Sequence, residues 1–433
     1  MKLSILYSII FFGFAQMQAQ QVLTLEEAVK MALENNYEIR ISKNDLNIDK
    51  TNLTIGNAGM LPALSANVID NNSIQNTTQT RSDGTTNELD NAKNNSLTYG
   101  VGLDWTVFDG FKMFARYDQL KALQKLGEAE LKLTVITKIS DVTSTYYDLV
   151  QQQQQLAALD STIVISNQRM ALANNRYTIG KASKLEVLNA QVDLNTDTTA
   201  YLKQKELYAN TKTLLNQMLA RDVKTDFKVV DSIAVDGKLM LPELISLAEK
   251  QNPQLEAQIL NKKIAELQLK QIKADRYPVV TLNSAYNFNE SESSLGFVTQ
   301  SSSKGLNYGF TATLNLFDGF NQRRNEKVAK LLVDNANIAI EQQNQLLQTT
   351  LTTSYQTYLT NLELMKLEQK NEAIAKQNLD ITLEKFRIGT IPTIEFRAAQ
   401  LNYTNAKARN SNAQFQAKLS EIALKELAGN LSF

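Results

Sequence analysis

A tetrapeptide that occurs twice constrains this chain more than any other feature. Phe108-Asp109-Gly110-Phe111 returns as Phe317-Asp318-Gly319-Phe320, 209 residues later. The same offset aligns Tyr99-Gly100 with Tyr308-Gly309, the run Arg176 to Gly180 with Lys385 to Gly389, and Glu186 with Glu395. Upstream the offset becomes 216, aligning Leu25 with Leu241, Asn36 with Asn252 and Pro62 with Pro278. The first half therefore carries a longer loop, the Asn/Thr/Ser/Asp-rich stretch from Asp70 to Ser96, whose counterpart runs from Asn289 to Gly305. A unit of roughly 200 residues is too long for a solenoid repeat, so the chain reads as two tandem copies of one supersecondary unit. The copies are expected over 20–228 and 229–433, after a signal peptide over 1–19.

That signal is read from Met1-Lys2, an apolar run from Leu3 to Phe14 and small residues up to Ala19, where cleavage is placed. The other reading, an N-terminal anchor, needs about 20 apolar residues. No Cys follows for lipid attachment, and no later stretch is apolar enough for a spanning helix, so any entry into a membrane must be by strands.

What lies inside each copy follows from how few breaks it has. With 16 Gly and 5 Pro in 433 residues, roughly 5 % against about 12 % in an average protein, long helices are the natural reading. Thr24 with Glu27 forms a capping box that starts a short helix, and Leu241-Pro242-Glu243 starts its counterpart. Second helices are expected from Tyr37 to Ala58 and from Pro253 to Ala274. From Lys112 to Arg176 there is no Pro and only Gly127. Val135, Val142, Leu149, Leu156, Ile163, Met170 and Tyr177 recur at sevens, with Ile139 and Tyr146 between them, the pattern of a coiled-coil helix about 100 Å long. It turns at Gly180, as its counterpart does at Gly389, and returns as a shorter helix from Lys184 to Leu219, with Val187, Leu194, Tyr201, Tyr208 and Leu215 at sevens. Added to the helix from Tyr37, the short one nearly matches the long one, which implies pseudo-continuous helical rods. The long helical hairpins are expected over 112–219 and 321–428. The glutamine run Gln151 to Gln155 is read as a solvated or lumen-facing helix surface.

Between the helices the period changes from 3.6 to 2. Val280, Leu282, Tyr286 and Phe288 alternate with Thr281, Asn283, Asn287 and Asn289; Tyr308, Phe310, Ala312, Leu314 and Leu316 alternate with small or polar residues; Tyr99, Val101, Leu103, Trp105 and Val107 alternate with Thr98, Gly100, Gly102, Asp104 and Thr106. An apolar, aromatic face opposite a small, polar one is the pattern of a transmembrane β-strand, with a half-buried hairpin of a soluble sandwich as the alternative. β-Hairpins are expected at about 62–108 and 278–317. Four strands are too few for a membrane barrel, so an inserted barrel must be shared between chains.

Composition excludes much chemistry. The chain has no His and no Cys, which removes His triads, His or Cys zinc sites, thiol catalysis and disulfides. Lys plus Arg and Asp plus Glu both number 45, so nucleic acid is a poor partner. Paired catalytic acids need a compact pocket that heptad helices do not supply, and neither enzyme activity nor a cofactor is expected.

These residues resemble the TolC-like outer-membrane efflux proteins of Gram-negative bacteria. The resemblance rests on Leu23-Thr24-Leu25-Glu26-Glu27-Ala28 with Ala32-Leu33 and Asn36, on both Phe-Asp-Gly segments, and on the turns at Gly180 and Gly389. It implies a mainly α fold with a membrane β-barrel portion: tandem helical hairpins forming a tunnel, and four strands per chain contributing to a 12-stranded barrel in a homotrimer. It also implies location in the outer membrane, contact with its lipid, a tunnel reaching into the periplasm, and docking to a periplasmic adaptor and an inner-membrane pump. The function implied is a passive exit duct for efflux or type I secretion. A periplasmic coiled-coil adaptor or scaffold is the alternative, although an adaptor nests one hairpin inside β-domains rather than repeating hairpin and strands.

Site residues follow from the same resemblance. A carboxylate six residues after each tip glycine forms an anionic ring at the tunnel entrance, here Glu186 and Glu395. The family's best-studied member has a gate tyrosine, an arginine and a second acid where this chain has Phe386, Ile391 and Ala398. Closure is therefore expected to rest on packing of Tyr177 and Phe386. Arg176, Gly180, Lys385 and Gly389 match the tip turns that meet the adaptor.

Overall fold

The computed structural model describes residues 22–294 and 298–431. The expected signal peptide lies outside the described residues. In chain order the elements are β1 (Val22–Leu23), α1 (Leu25–Asn35), α2 (Tyr37–Asn52), β2 (Ala63–Thr80), β3 (Thr86–Phe108), α3 (Lys112–Thr178), α4 (Lys184–Met218), β4 (Lys228–Val229), α5 (Leu241–Gln251), α6 (Pro253–Ala274), β5 (Val279–Ser293), β6 (Gln300–Thr313), α7 (Asn321–Ile388) and α8 (Thr393–Leu427). They form two compact units: one of residues up to 41 with 133–252 and from 346 on, the other of 42–132 with 253–345.

The second unit holds an antiparallel sheet in the order β2-β3-β5-β6. Directly opposed residues share a face, so the register sorts side chains into rows across the strands. Leu64, Leu103, Ser284 and Tyr308 form one row, Ala66, Val101, Tyr286 and Leu306 the next, and Val68, Tyr99, Phe288 and Lys304 the next. Trp105, Leu282 and Phe310 lie on the same face, and a bulge at Val107 brings Phe108 opposite Val280, onto that face as well. From Val280 to Phe288 this apolar face runs about 27 Å along the strand, the height of a bilayer's hydrocarbon band. Tyr308 and Phe310 on it are 83 % and 75 % exposed. The opposite face carries Ser65, Gly102, Ala285 and Asn307 in one row and Asn67, Gly100, Asn287 and Gly305 in another. Among the described residues β2 and β6 have one open edge each.

The polar stretches expected as loops are largely strand. β2 continues to Thr80 and β3 begins at Thr86, leaving only residues 81–85 as the turn; β5 likewise runs to Ser293 and β6 starts at Gln300. Side chains there are polar on both faces, so burial imposes no alternation, yet the backbone ladder still pairs Asn71 with Ser96 and Asn289 with Ser303. The helix expected to reach Ala58 stops at Asn52. There Asn57 Nδ2 donates to the Asn52 carbonyl at 2.9 Å and Thr54 Oγ1 accepts from Asn57 N at 3.0 Å, side-chain bonds that compete with the helix.

Each strand-to-helix junction is made by the Asp-Gly-Phe segment. Asp109 Oδ2 accepts from Met113 N at 2.9 Å and Asp318 Oδ2 from Gln322 N at 2.6 Å, so each carboxylate, three residues before its helix starts, satisfies an orphan N–H in the first turn of α3 or α7. Gly110 is held at φ 71° and is approached so closely that a Cβ would stand 2.5 Å from the Ala274 carbonyl oxygen. The following phenylalanines, Phe111 (φ 67°) and Phe320 (φ 63°), are also left-handed. For a bulky side chain that conformation costs about 1–2 kcal/mol.

In the first unit, α1 packs on the middle of α3 and the end of α4. Ala28, Val29, Ile139, Val142, Leu149, Leu215 and Phe227 form its core, and β1 pairs in parallel with β4. Tyr146 fastens both strands: its hydroxyl donates to the Leu23 carbonyl at 2.9 Å and accepts from Val230 N at 3.2 Å. Tyr355, its counterpart at the 209 offset, donates to the Leu239 carbonyl. The glutamine run is in part buried rather than solvated throughout. Gln151 and Gln152 are buried; Gln152 Nε2 donates to Asp148 Oδ2 at 2.9 Å and Thr211 Oγ1 at 3.0 Å, and Gln153 Oε1 accepts from Tyr208. Gln152 and Gln153 each find a hydrogen-bond partner on α4, Thr211 and Tyr208, which offsets part of the cost of burying an amide.

The joint between α4 and α2 is one residue. Asn36 Oδ1 accepts from Glu38 N and Ile39 N at 2.9 and 3.2 Å, capping α2, while its Nδ2 donates to Met218 O at 2.8 Å, the last carbonyl of α4. Asn252 Nδ2 reaches Leu427 O, the last of α8, at 2.9 Å. Two helices meet end to end because one amide satisfies orphan groups of both.

Candidate functional site

The turns α3–α4 and α7–α8 carry every site residue read from the sequence. Both turns close as Schellman caps. Gly180 (φ 70°) donates to Tyr177 O at 3.0 Å and Lys181 N to Arg176 O at 2.8 Å; Gly389 (φ 86°) donates to Phe386 O at 3.0 Å and Thr390 N to Lys385 O at 3.0 Å. A residue with a Cβ is disfavoured at both glycines by the left-handed backbone alone.

The turns touch through Arg176. Its Nη2 lies 3.3 Å from where a Cβ of Gly389 would sit, and its Nη1 is 3.7 Å from Glu186 Oε1. Glu186 Oε1 also accepts from Thr393 Oγ1 at 2.8 Å. Glu395, by contrast, is exposed and has no ion-pair or hydrogen-bond partner for its carboxylate among the described residues. The two glutamates that the duplication makes equivalent thus stand in different surroundings. Lys385 is exposed.

Tyr177 and Phe386 are equally unlike. Phe386 is buried and stacked on Phe396, with ring centroids 4.8 Å apart, among Leu172, Leu379, Leu383 and Ile391. Tyr177 is 45 % exposed, with Lys184 Nζ 5.4 Å from its ring centre. No ring contact joins the two among the described residues.

Two to three turns further from the tip on α3 and α4 lies a network not anticipated from the sequence. Toward the tip the buried stripe of α3 is not the heptad Ile163–Met170 but Thr162, Ser166, Arg169 and Ala173. Arg397 of α8 makes a two-pronged pair with Asp197 of α4 at 2.7 and 2.8 Å, and its Nε lies 3.6 Å from Asp193. Asp197 also accepts from Ser166 Oγ at 2.5 Å. Arg169, whose side chain is fully buried, pairs with Asp193. Gln400 accepts from Arg397 and donates to Ser166 Oγ at 2.9 Å and to Thr162 O at 3.2 Å. Arg397 lies two residues after Glu395, but the structure engages it with Asp193 and Asp197 rather than with either ring glutamate.

This network joins α3, α4 and α8, and it breaks the duplication. At the 209 offset Arg169 faces Asn378, Asp193 faces Asn402, Asp197 faces Ala406 and Arg397 faces Leu188. That loss of symmetry, with two acids four apart on α4, was the signal available in the sequence. Beside it the starts of α4 and α8 bound a groove of ≈ 500 Å³ that includes Leu185, Val192 and Ile394. Among the described residues no group of His, Cys, Asp or Glu is arranged to hold a metal ion, and no helix is long and apolar enough to cross a membrane.

Comparison with known proteins bears on both units. The profile of the outer membrane efflux protein family matches residues 28–221 and 244–430. Among solved structures the chain is similar to the Campylobacter jejuni CmeC outer membrane channel, at 17 % identity and a TM-score of 0.80 over 94 % of this chain and 85 % of that one. It is similar to the Vibrio cholerae outer membrane protein VceC at 15 % identity and a TM-score of 0.74, over 94 % and 96 %. The open Neisseria gonorrhoeae MtrE outer membrane channel matches at 16 % and 0.74, over 94 % and 89 %. No curated protein matches the chain.

Proposed function

Because the chain belongs to the outer membrane efflux protein family, over residues 28–221 and 244–430, we propose that three copies close one barrel and form the passive exit duct of a tripartite efflux or type I secretion system. An outer-membrane efflux channel with a periplasmic extension is the family's function, and its members form trimers within tripartite pumps. The observation that carries the trimer for this chain is its sheet: four strands, an apolar face of bilayer height and two open edges. A membrane sheet with open edges leaves backbone groups unpaired in hydrocarbon, so the edges must be closed by other copies. Three copies give 12 strands, an even number within the range of such barrels. A coiled-coil adaptor or scaffold would have no use for the exposed aromatic face. Native mass spectrometry in detergent should find three chains, and a stable monomer would refute the duct.

The tip turns with Arg176, Gly180, Lys385 and Gly389 meet the periplasmic adaptor in this reading, and Glu186 with Glu395 forms an acidic ring at the entrance. The ring is uneven, because Glu186 is bound by Arg176 and Thr393 while the Glu395 carboxylate has no partner among the described residues. In planar bilayers Glu395→Gln should therefore reduce cation selectivity and divalent block more than Glu186→Gln does. Equal effects, or none in the double substitution, would remove this assignment. Phe386, stacked on Phe396, fixes the second turn, and Tyr177 is the solvent-facing member of the pair.

A further inference from the structure

Phe111 and Phe320 occupy left-handed backbone that Gly or Asn would adopt with less strain, and they do so in both copies. Packing within the chain does not account for them. Phe111 is 63 % exposed and Phe320 69 % exposed. Each ring meets its aromatic neighbour edge to face, Phe108 with Phe111 at 5.4 Å and Phe317 with Phe320 at 5.5 Å. Phe108 is the end of the apolar face, since the bulge at Val107 turns it to the side of Trp105 and Val280. Phe111 therefore continues that face past the last ladder pair, and Phe114 extends it onto α3. Cations follow on the helix side. Lys112 is occupied by Asp275, but Arg323 and Arg324, three and four residues after Phe320, are exposed and have no carboxylate partner among the described residues. The nearest acids are engaged: Asp318 caps α7 through Gln322 N, and Glu326 pairs with Arg276.

Membrane barrels carry aromatic girdles at both interfaces, and the two Asp-Gly-Phe turns are the anchors of the periplasmic one; we infer that there Phe317-Phe320 with Arg323 and Arg324 is a site for one anionic phospholipid. The aromatic edge lies against the first carbons of the acyl chains and the guanidinium groups meet the headgroup phosphate. The left-handed turn aims the rings outward at the level where the chain leaves the sheet. This rests on the membrane-barrel reading, and the test separates the two.

The chain has one tryptophan, Trp105, on the apolar face, so the wild-type trimer in vesicles of brominated phospholipid reports on the barrel itself. W105F/F111W and W105F/F320W report on the anchors. All three should be quenched, the two anchor variants more by bromines near the headgroup and the wild type more by bromines deeper in the chain. An unquenched wild type overturns the membrane reading and the anchors with it. A quenched wild type with unquenched anchor variants overturns the anchors alone, and places these rings between chains. In detergent, titration of W105F/F320W with brominated phosphatidylglycerol should need roughly threefold more lipid for half-quenching once R323Q/R324Q is added. An unchanged titration refutes the arginine–phosphate contact. Relief of quenching by millimolar inorganic phosphate would make the site one for free anions and refute the lipid assignment.

Discussion

Asp197 is where the tip network is most exposed to a single change. Its carboxylate accepts from both terminal nitrogens of Arg397 and from Ser166, almost out of reach of solvent. Asp197→Ala leaves the guanidinium buried without its main partner, which should destabilise the protein by about 3–5 kcal/mol. Replacing both partners by apolar residues, Asp197→Leu with Arg397→Met, should recover most of that loss. Thermal unfolding of the double variant beside Asp197→Leu alone and Arg397→Met alone closes the cycle. If the double variant is as unstable as Asp197→Ala, the network is valued for packing rather than charge. At this scale the sequence was legible where a residue's conformation is dictated by its type, as at Gly180 and Gly389. It was not legible at Arg169 or Asp193, because a search for apolar sevens passes over a buried stripe whose members satisfy one another's hydrogen bonds.

Helix ends give the sharpest expectations among the elements. Asn36→Ala removes an N-cap of α2 and leaves the last carbonyl of α4 without its donor, so a loss of about 1–3 kcal/mol is expected. Asn36→Asp keeps the cap but cannot donate to Met218, and should fall between the two. Hydrogen exchange at residues 37–41 and 215–219 is the measurement. A pH effect belongs to α2 as well. Burial and the neighbouring Asp45 push the Asp49 carboxyl above its ordinary 3.8, and burial with Asp49 and Asp45 raises Glu130. A carboxyl raised on folding binds its proton more tightly in the folded state, so the contact is strongest below the ordinary carboxylate value and weakens as pH rises through the raised one. Asp49→Asn should therefore slow exchange along α2 at neutral pH, by less than about 1 kcal/mol, and change nothing below pH 3.8. Faster exchange at neutral pH would contradict the sign. The long helices and the aromatic strands were readable because one face of each is apolar. The outer halves of β2 and β3 were not, since a ribbon polar on both faces gives no period to read, and its ladder is formed by backbone atoms that every sequence shares.

For the whole molecule, orientation follows from the strands. The polar ribbon of β2 and β3 ends at Gly84, on the far side of the apolar rows from the junctions at Gly110 and Gly319. Barrels carry their longer extensions outside the cell, so an epitope inserted at Gly84 should be labelled on intact cells. Labelling only after the outer membrane is permeabilised would reverse the topology. The duplication made the architecture legible at this scale, because equal offsets fix the order of elements without any knowledge of their packing; the number of chains was legible only as an incompleteness of four strands. The open edges of β2 and β6 carry a further consequence, which concerns inheritance. A copy that folds its helices normally but bears a proline in the middle of β6 would still enter mixed assemblies and would leave a seam in every barrel that contains it. Such an allele would be dominant, and a cell carrying it beside a normal gene would lose most of its ducts while making a full supply of sound chains.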